Sequence, residues 1–129
     1  MMKFIFDQKC FNIESAEEQM IFFLENKNLY CNLYDFSIAC AKYQYDIEKD
    51  YISSEHSWNK RQEIFDIYPI SAEELDKYIS VKDGLKYKLD IEPYGVVTKA
   101  FHIYSDWDYF LCTVETNKFY YGIAWETTA

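Results

Sequence analysis

Two aspartates one residue apart, Asp106 and Asp108, flank a tryptophan in the stretch YSDWDYF, Tyr104 to Phe110. On an extended strand they would point the same way, about 7 Å apart by the strand rise. That separation lies within the range glycoside hydrolysis uses for its two carboxyls. Such sites, however, set their acids on opposite sides of the scissile bond and raise one pKa by burial. Ser-Asp-Trp-Asp also has the composition of a strand-connecting turn, in which aspartates bond their own backbone. The stretch therefore reads as a turn, either solvated or presenting Trp107 and Tyr109 to a partner, in preference to a catalytic pair.

The other reactive side chains are sparse. There are two histidines, His56 and His102, and four cysteines, Cys10, Cys31, Cys40 and Cys112. His102 and Cys112 fall on strand-like segments that could lie side by side, the arrangement a Cys–His nucleophile needs. No third orienting group or oxyanion donor is evident, so a buried thiol and a half-exposed imidazole are the simpler reading. No HxH, HExxH or CxxC occurs, so no metal is expected. The three glycines form no phosphate-cradling loop, and no nucleotide or other cofactor is expected.

Behind these residues the chain changes period once. KFIF (Lys3–Phe6) suits a short strand. ESAEEQMIFFLEN predicts a helix, capped by Ser15 with Glu18 completing a capping box. Leu29, Leu33, Phe36, Cys40, Tyr43, Ile47 and Tyr51 recur every three or four residues and predict one long amphipathic helix. The polar run SSEHSWN breaks it. A shorter helix through KRQEIFDIY should follow, stopped by Pro69. ISAEELDKYIS predicts a further helix, with Ser71 and Glu74 as capping box and Ile70 against Leu75 as hydrophobic staple. After Gly84 the apolar positions alternate. Strands are expected over Leu85–Ile91, VVTKAFHIY, DYFLCTVE and FYYGIAWET, with TNK as a tight turn.

Helices followed by an antiparallel meander of about four strands make a single α+β domain over residues 1–129. Phe119, Tyr121, Ile123 and Trp125 should face the core. Tyr120, Gly122, Ala124 and Glu126 form the opposite strip, which needs cover or is a binding surface.

Composition narrows the function. The net charge is −9 and Arg61 is the only arginine, which disfavours nucleic-acid binding. The opening MMKFIFDQKC lacks the apolar run of a signal peptide, and no stretch reaches membrane-spanning length. A cytoplasmic location with reduced thiols is expected. Thirteen tyrosines and ten phenylalanines exceed what one core this size needs. Tyrosine and tryptophan anchor protein interfaces, and acids around them speed encounter with a basic partner. Two segments combine these features: YQYDIEKDY, with Tyr45, Asp46, Glu48 and Asp50, and YSDWDYF, with Asp106, Trp107, Asp108 and Tyr109.

In these segments, and in its small, acidic, aromatic-rich character, the chain resembles immunity proteins of bacterial polymorphic and contact-dependent toxin systems. The resemblance implies a protein-binding inhibitor, not an enzyme, that occludes a basic toxin domain. Phage-encoded inhibitors of bacterial defence enzymes share this character. Two other readings remain open: a small-ligand-binding or hydrolytic α+β domain with an aromatic-lined pocket holding His102 and an aspartate, and a homo-oligomer joined through an open sheet face.

Overall fold

A computed structural model describes residues 3–11, 17–48, 57–80 and 94–127, with side chains placed over 21–46, 57–78 and 94–126. Strands β1 (Lys3–Phe11) and β2 (Glu17–Asn26) form a hairpin. A 3₁₀ turn over Lys27–Leu29 leads to helix α1 (Leu33–Glu48). A short helix α2 (Trp58–Gln62), a two-residue strand β3 (Tyr68–Pro69) and helix α3 (Ala72–Ser80) follow. The chain ends in the meander β4 (Val97–Asp106), β5 (Tyr109–Thr116) and β6 (Phe119–Thr127). All six strands form one antiparallel sheet in the order β1-β2-β6-β5-β4-β3. The architecture is α+β, with helices packed on an antiparallel sheet.

The largest departure from the periodicity is β2. ESAEEQMIFFLEN predicts a helix, yet Glu17–Asn26 is a strand between β1 and β6. The cause is burial on both faces. Ile21 and Phe23 face one core layer, while Phe22 and Leu24 face the other. A strand buried on both sides reads as a continuous apolar run, which periodicity cannot separate from a helix. Ser15, the expected cap, lies outside the described residues.

The second copy of the tetrapeptide SAEE does start a helix. The Glu74 N–H donates to Ser71 Oγ at 3.1 Å, and Ile70 and Leu75 are both buried at the α3 entry. The long helix is shorter than its stripe. Asn32 accepts from the Asp35 N–H at 2.8 Å and caps α1 there, so Leu29 stays outside it and is 52% exposed. Tyr51 and the expected strand Leu85–Ile91 lie outside the described residues. KRQEIFDIY is helical only to Gln62. Beyond it the chain extends to pair with β4, and Pro69 sits on the sheet's edge, where a missing N–H costs no ladder bond.

Two core layers sandwich the sheet. Tyr121, Ile123 and Trp125 pack with Phe22, Phe110, Cys112 and Val114, and with Ile70 and Leu75 leading into α3. On the other face Leu33, Phe36, Cys40 and Ala41 of α1 cover Ile103, Tyr104, Leu111, Tyr120 and Ala124. The strip Tyr120–Gly122–Ala124 is thus the seat of α1, not an open surface. The approach is close: a Cβ built on Gly122 would meet Cys40 Sγ at 3.0 Å and the Phe23 ring at 3.3 Å. Beside it Ser37 Oγ donates to the Leu33 carbonyl (2.7 Å) and meets Thr113 Oγ1 at 2.6 Å, which satisfies both hydroxyls inside the layer.

Gly122→Val should therefore lower unfolding free energy by about 2 kcal/mol in urea titration. Gly122→Ala should cost less in a Cys40→Ala background than alone, a coupling of about 0.5 kcal/mol or more in the double-mutant cycle. Additive costs would show that the helix does not rest on this glycine. Ser71→Ala should cost about 1 kcal/mol in the same titration through loss of the α3 cap.

Candidate functional site

The buried stripe of α1 aims its last described turn at one end of the sheet. Tyr45 is half-buried there and Asp46 is exposed. The β4–β5 hairpin reaches the same end. Asp106 and Tyr109 are its closing pair, so Trp107 and Asp108 form a tight two-residue turn. The two carboxylates are therefore not neighbours along one strand. Asp106 Oδ1 accepts from the Trp107 N–H at 2.8 Å, the local bond a turn aspartate makes. That bond fixes the turn, and the Trp107 side chain projects outward, 71% exposed.

An aromatic ladder joins the two segments, some sixty residues apart in the chain. The Tyr45 ring lies 5.7 Å from Trp58, Trp58 lies 5.8 Å from Phe65, Phe65 stacks on Tyr104 at 5.9 Å, and Tyr104 meets Tyr109 edge-on at 5.8 Å. The Tyr104 hydroxyl is bound by Gln44 of α1, which ties the ladder's middle to the helix. Cations cap its outer rungs. Lys42 Nζ lies 5.3 Å from the Tyr45 ring centre and 5.5 Å from that of Trp58, and it also bonds Asp46 at 2.8 Å. The Arg61 guanidinium lies 5.7 Å from Tyr45. Burial raises the Tyr109 phenol above its ordinary range. Asp106 and Asp108 raise it further, and Arg61 opposes them.

The structure thus brings Tyr45, Asp46, Asp106, Trp107, Asp108 and Tyr109 to one end of the sheet. Asp46 is partly neutralised by Lys42. Glu48 closes α1 but its side chain lies outside those described, and Asp50 lies outside the described residues altogether. Trp58, Phe65 and Arg61 complete the surface and were not singled out by sequence. Trp58 carries the one usable signal, a lone indole in an otherwise polar break.

The second constellation is on the opposite sheet face. His102 and Cys112 are cross-strand partners, as their strand positions allow. The thiol is nevertheless inert: Cys112 is fully buried, and burial pushes it up to about 12. Both ring nitrogens of His102 are engaged elsewhere, Nδ1 with the Asp66 carbonyl and Nε2 with Ser105 Oγ, each at 2.7 Å. Among the described residues no group of three or more His, Cys, Asp and Glu converges to hold a metal. No helix there is long and apolar enough to cross a membrane. No family model matches the chain, and no curated protein or solved structure shows significant similarity to it.

The thiols supply a check. Iodoacetamide should modify exposed Cys31 readily and leave Cys40 and Cys112 unmodified until global unfolding, as mapped by mass spectrometry. The buried thiols also set an alkaline limit. Their folded pKa values are raised, so each one's stabilisation is complete below the unfolded thiol value near 8.5. Above it the unfolded state ionises first, and unfolding free energy should fall by up to about 1.4 kcal/mol per pH unit per thiol. Cys112→Ala should flatten that slope.

Proposed function

We propose that the protein is a protein-binding inhibitor of the immunity type, which occludes a basic surface on a cognate toxin or effector domain. One observation carries this reading: two segments distant in sequence meet on one aromatic ladder, with a tryptophan 71% exposed in the hairpin turn where the ladder ends. A solvated turn has no need of an indole. Leaving that much apolar ring in water costs free energy that a partner's pocket would recover. The ladder holds Tyr109, and the bond from the Trp107 N–H to Asp106 Oδ1 fixes the turn that carries the anchor. Pre-ordering lowers the entropic cost of binding.

Charge supports the same class of partner. The chain is strongly acidic, and Asp106 and Asp108 flank the anchor. Such acids steer a basic surface toward the patch and act mainly on the association rate. An inhibitor that sets carboxylates where a toxin expects anionic substrate blocks it by occupancy alone. The fold needs no chemistry for this.

The test begins with affinity capture of the cognate partner from the native host. Against that partner, Trp107→Ala should weaken binding about thirtyfold or more, equivalent to about 2 kcal/mol, while leaving the melting temperature unchanged. Asp106→Asn with Asp108→Asn should slow association and reduce its salt dependence. Unaltered affinity in Trp107→Ala, or capture that recovers no protein, would remove the basis of the proposal.

A further inference from the structure

On the sheet face opposite α1, a β-bulge assembles a second set of groups. Strict alternation along β4 would place His102 and Ser105 on opposite faces. The register with β5 shifts between His102 and Tyr104, and both Ile103 and Tyr104 turn into the α1 layer. Ser105 is thereby returned to the face of His102. Bulges that re-aim one side chain are over-represented beside active sites.

The hydrogen bonds then fix the roles of the atoms. The Asp66 carbonyl can only accept, so His102 Nδ1 carries the proton and donates to it. In the neutral ring Nε2 is left as an acceptor, and its partner is Ser105 Oγ, which must donate. His102 itself is 3% exposed, while Ser105 is exposed at the surface. Tyr68 stacks on the imidazole at 4.4 Å and restrains its plane. Tyr78 of α3 closes the other side, its ring 6.1 Å from His102. An oriented base, a hydroxyl on that base and a group orienting the base, with a phenol ring beside the imidazole, are parts that acyl transfer uses.

We propose that Ser105 is a base-activated nucleophile that accepts the acyl group of a neutral carboxylic ester, with His102 as the base and the Tyr78 hydroxyl as the donor to the oxyanion. In the first half, Ser105 Oγ bonds to the carbonyl carbon and its proton passes to His102 Nε2. The carbon–oxygen bond to the leaving alcohol breaks, and the alcohol takes that proton. In the second half, water bonds to the acyl carbon and gives its proton to Nε2. The Ser105 ester bond breaks, and the proton returns to Oγ. Burial keeps the Tyr78 phenol protonated and able to donate. Tyr68 and Tyr78 set aromatic rings beside His102, and the chain's net charge disfavours anionic substrates. An uncharged ester with an apolar or aromatic group fits both.

The experiment uses the full chain and an alkyl fluorophosphonate, with modified residues located by mass spectrometry. Ser105 should label at least tenfold faster than Ser57 and Ser71, which are exposed and whose hydroxyls accept from the N–H groups of Lys60 and Glu74 at helix starts. This comparison is made within the wild-type protein and needs no variant to fold. Tyr78→Phe should slow labelling of Ser105 about tenfold, His102→Gln should reduce it to the rate of the other two serines, and p-nitrophenyl acetate turnover should fall in parallel. Equal labelling of the three serines in the wild type overturns the proposal. So does fast labelling of Ser105 that Tyr78→Phe and His102→Gln leave unchanged.

Discussion

The fold depends on how closely α1 can lie against the sheet. Gly122 leaves no side chain where Cys40 descends, and Ser37 meets Thr113 across the same gap. A larger residue at position 122 would lift the helix. The lift would reach the far end of α1, because a rigid helix transmits a displacement at its middle to both ends. Gln44 would then lose its hold on Tyr104, and the Tyr45–Trp58 contact would open. The aromatic end of the molecule is thus a consequence of a glycine at the centre of the sheet.

The sequence was most legible where one local rule sufficed. Ser71, Glu74, Ile70 and Leu75 announced α3 through capping and stapling, and Ser71 does cap it while Ile70 and Leu75 are both buried. Alternation in β6 sorted Tyr121, Ile123 and Trp125 from Tyr120 and Ala124 correctly. The same SAEE tetrapeptide misled at its first occurrence, because its cap signal precedes a run that β6 claims as a strand partner. Tertiary pairing outweighed local propensity there. The ladder was half legible. Tyr45, Trp107 and Tyr109 stood out as aromatics among acids, but Trp58 and Phe65 join them only through the placement of α2. The His102–Ser105 pairing was not legible at all, since it rests on a bulge that leaves no mark in a strand's composition.

The hairpin β4–β5 serves both faces of the sheet at once. Tyr104 and Tyr109 belong to the α1 side, while His102 and Ser105 belong to the α3 side. One register shift separates them. A strand with perfect alternation could not have given the ladder its Tyr104 and the imidazole its hydroxyl together.

The position of β6 in the sheet has a consequence for synthesis. It is the last of the described strands to be made, yet it lies between β2 and β5, pairing Phe23 with Gly122 across nearly one hundred residues. Until Phe119–Thr127 has left the ribosome, β2 has a neighbour on one side only, and the floor beneath α1 lacks its middle plank. The nascent chain therefore carries the apolar run Ile21–Leu24 along an open strand edge for most of its translation. Such edges are what holding chaperones cover, and they nucleate aggregation when left bare. Closure by a late central strand makes this a slow-folding, high-contact-order topology despite its small size.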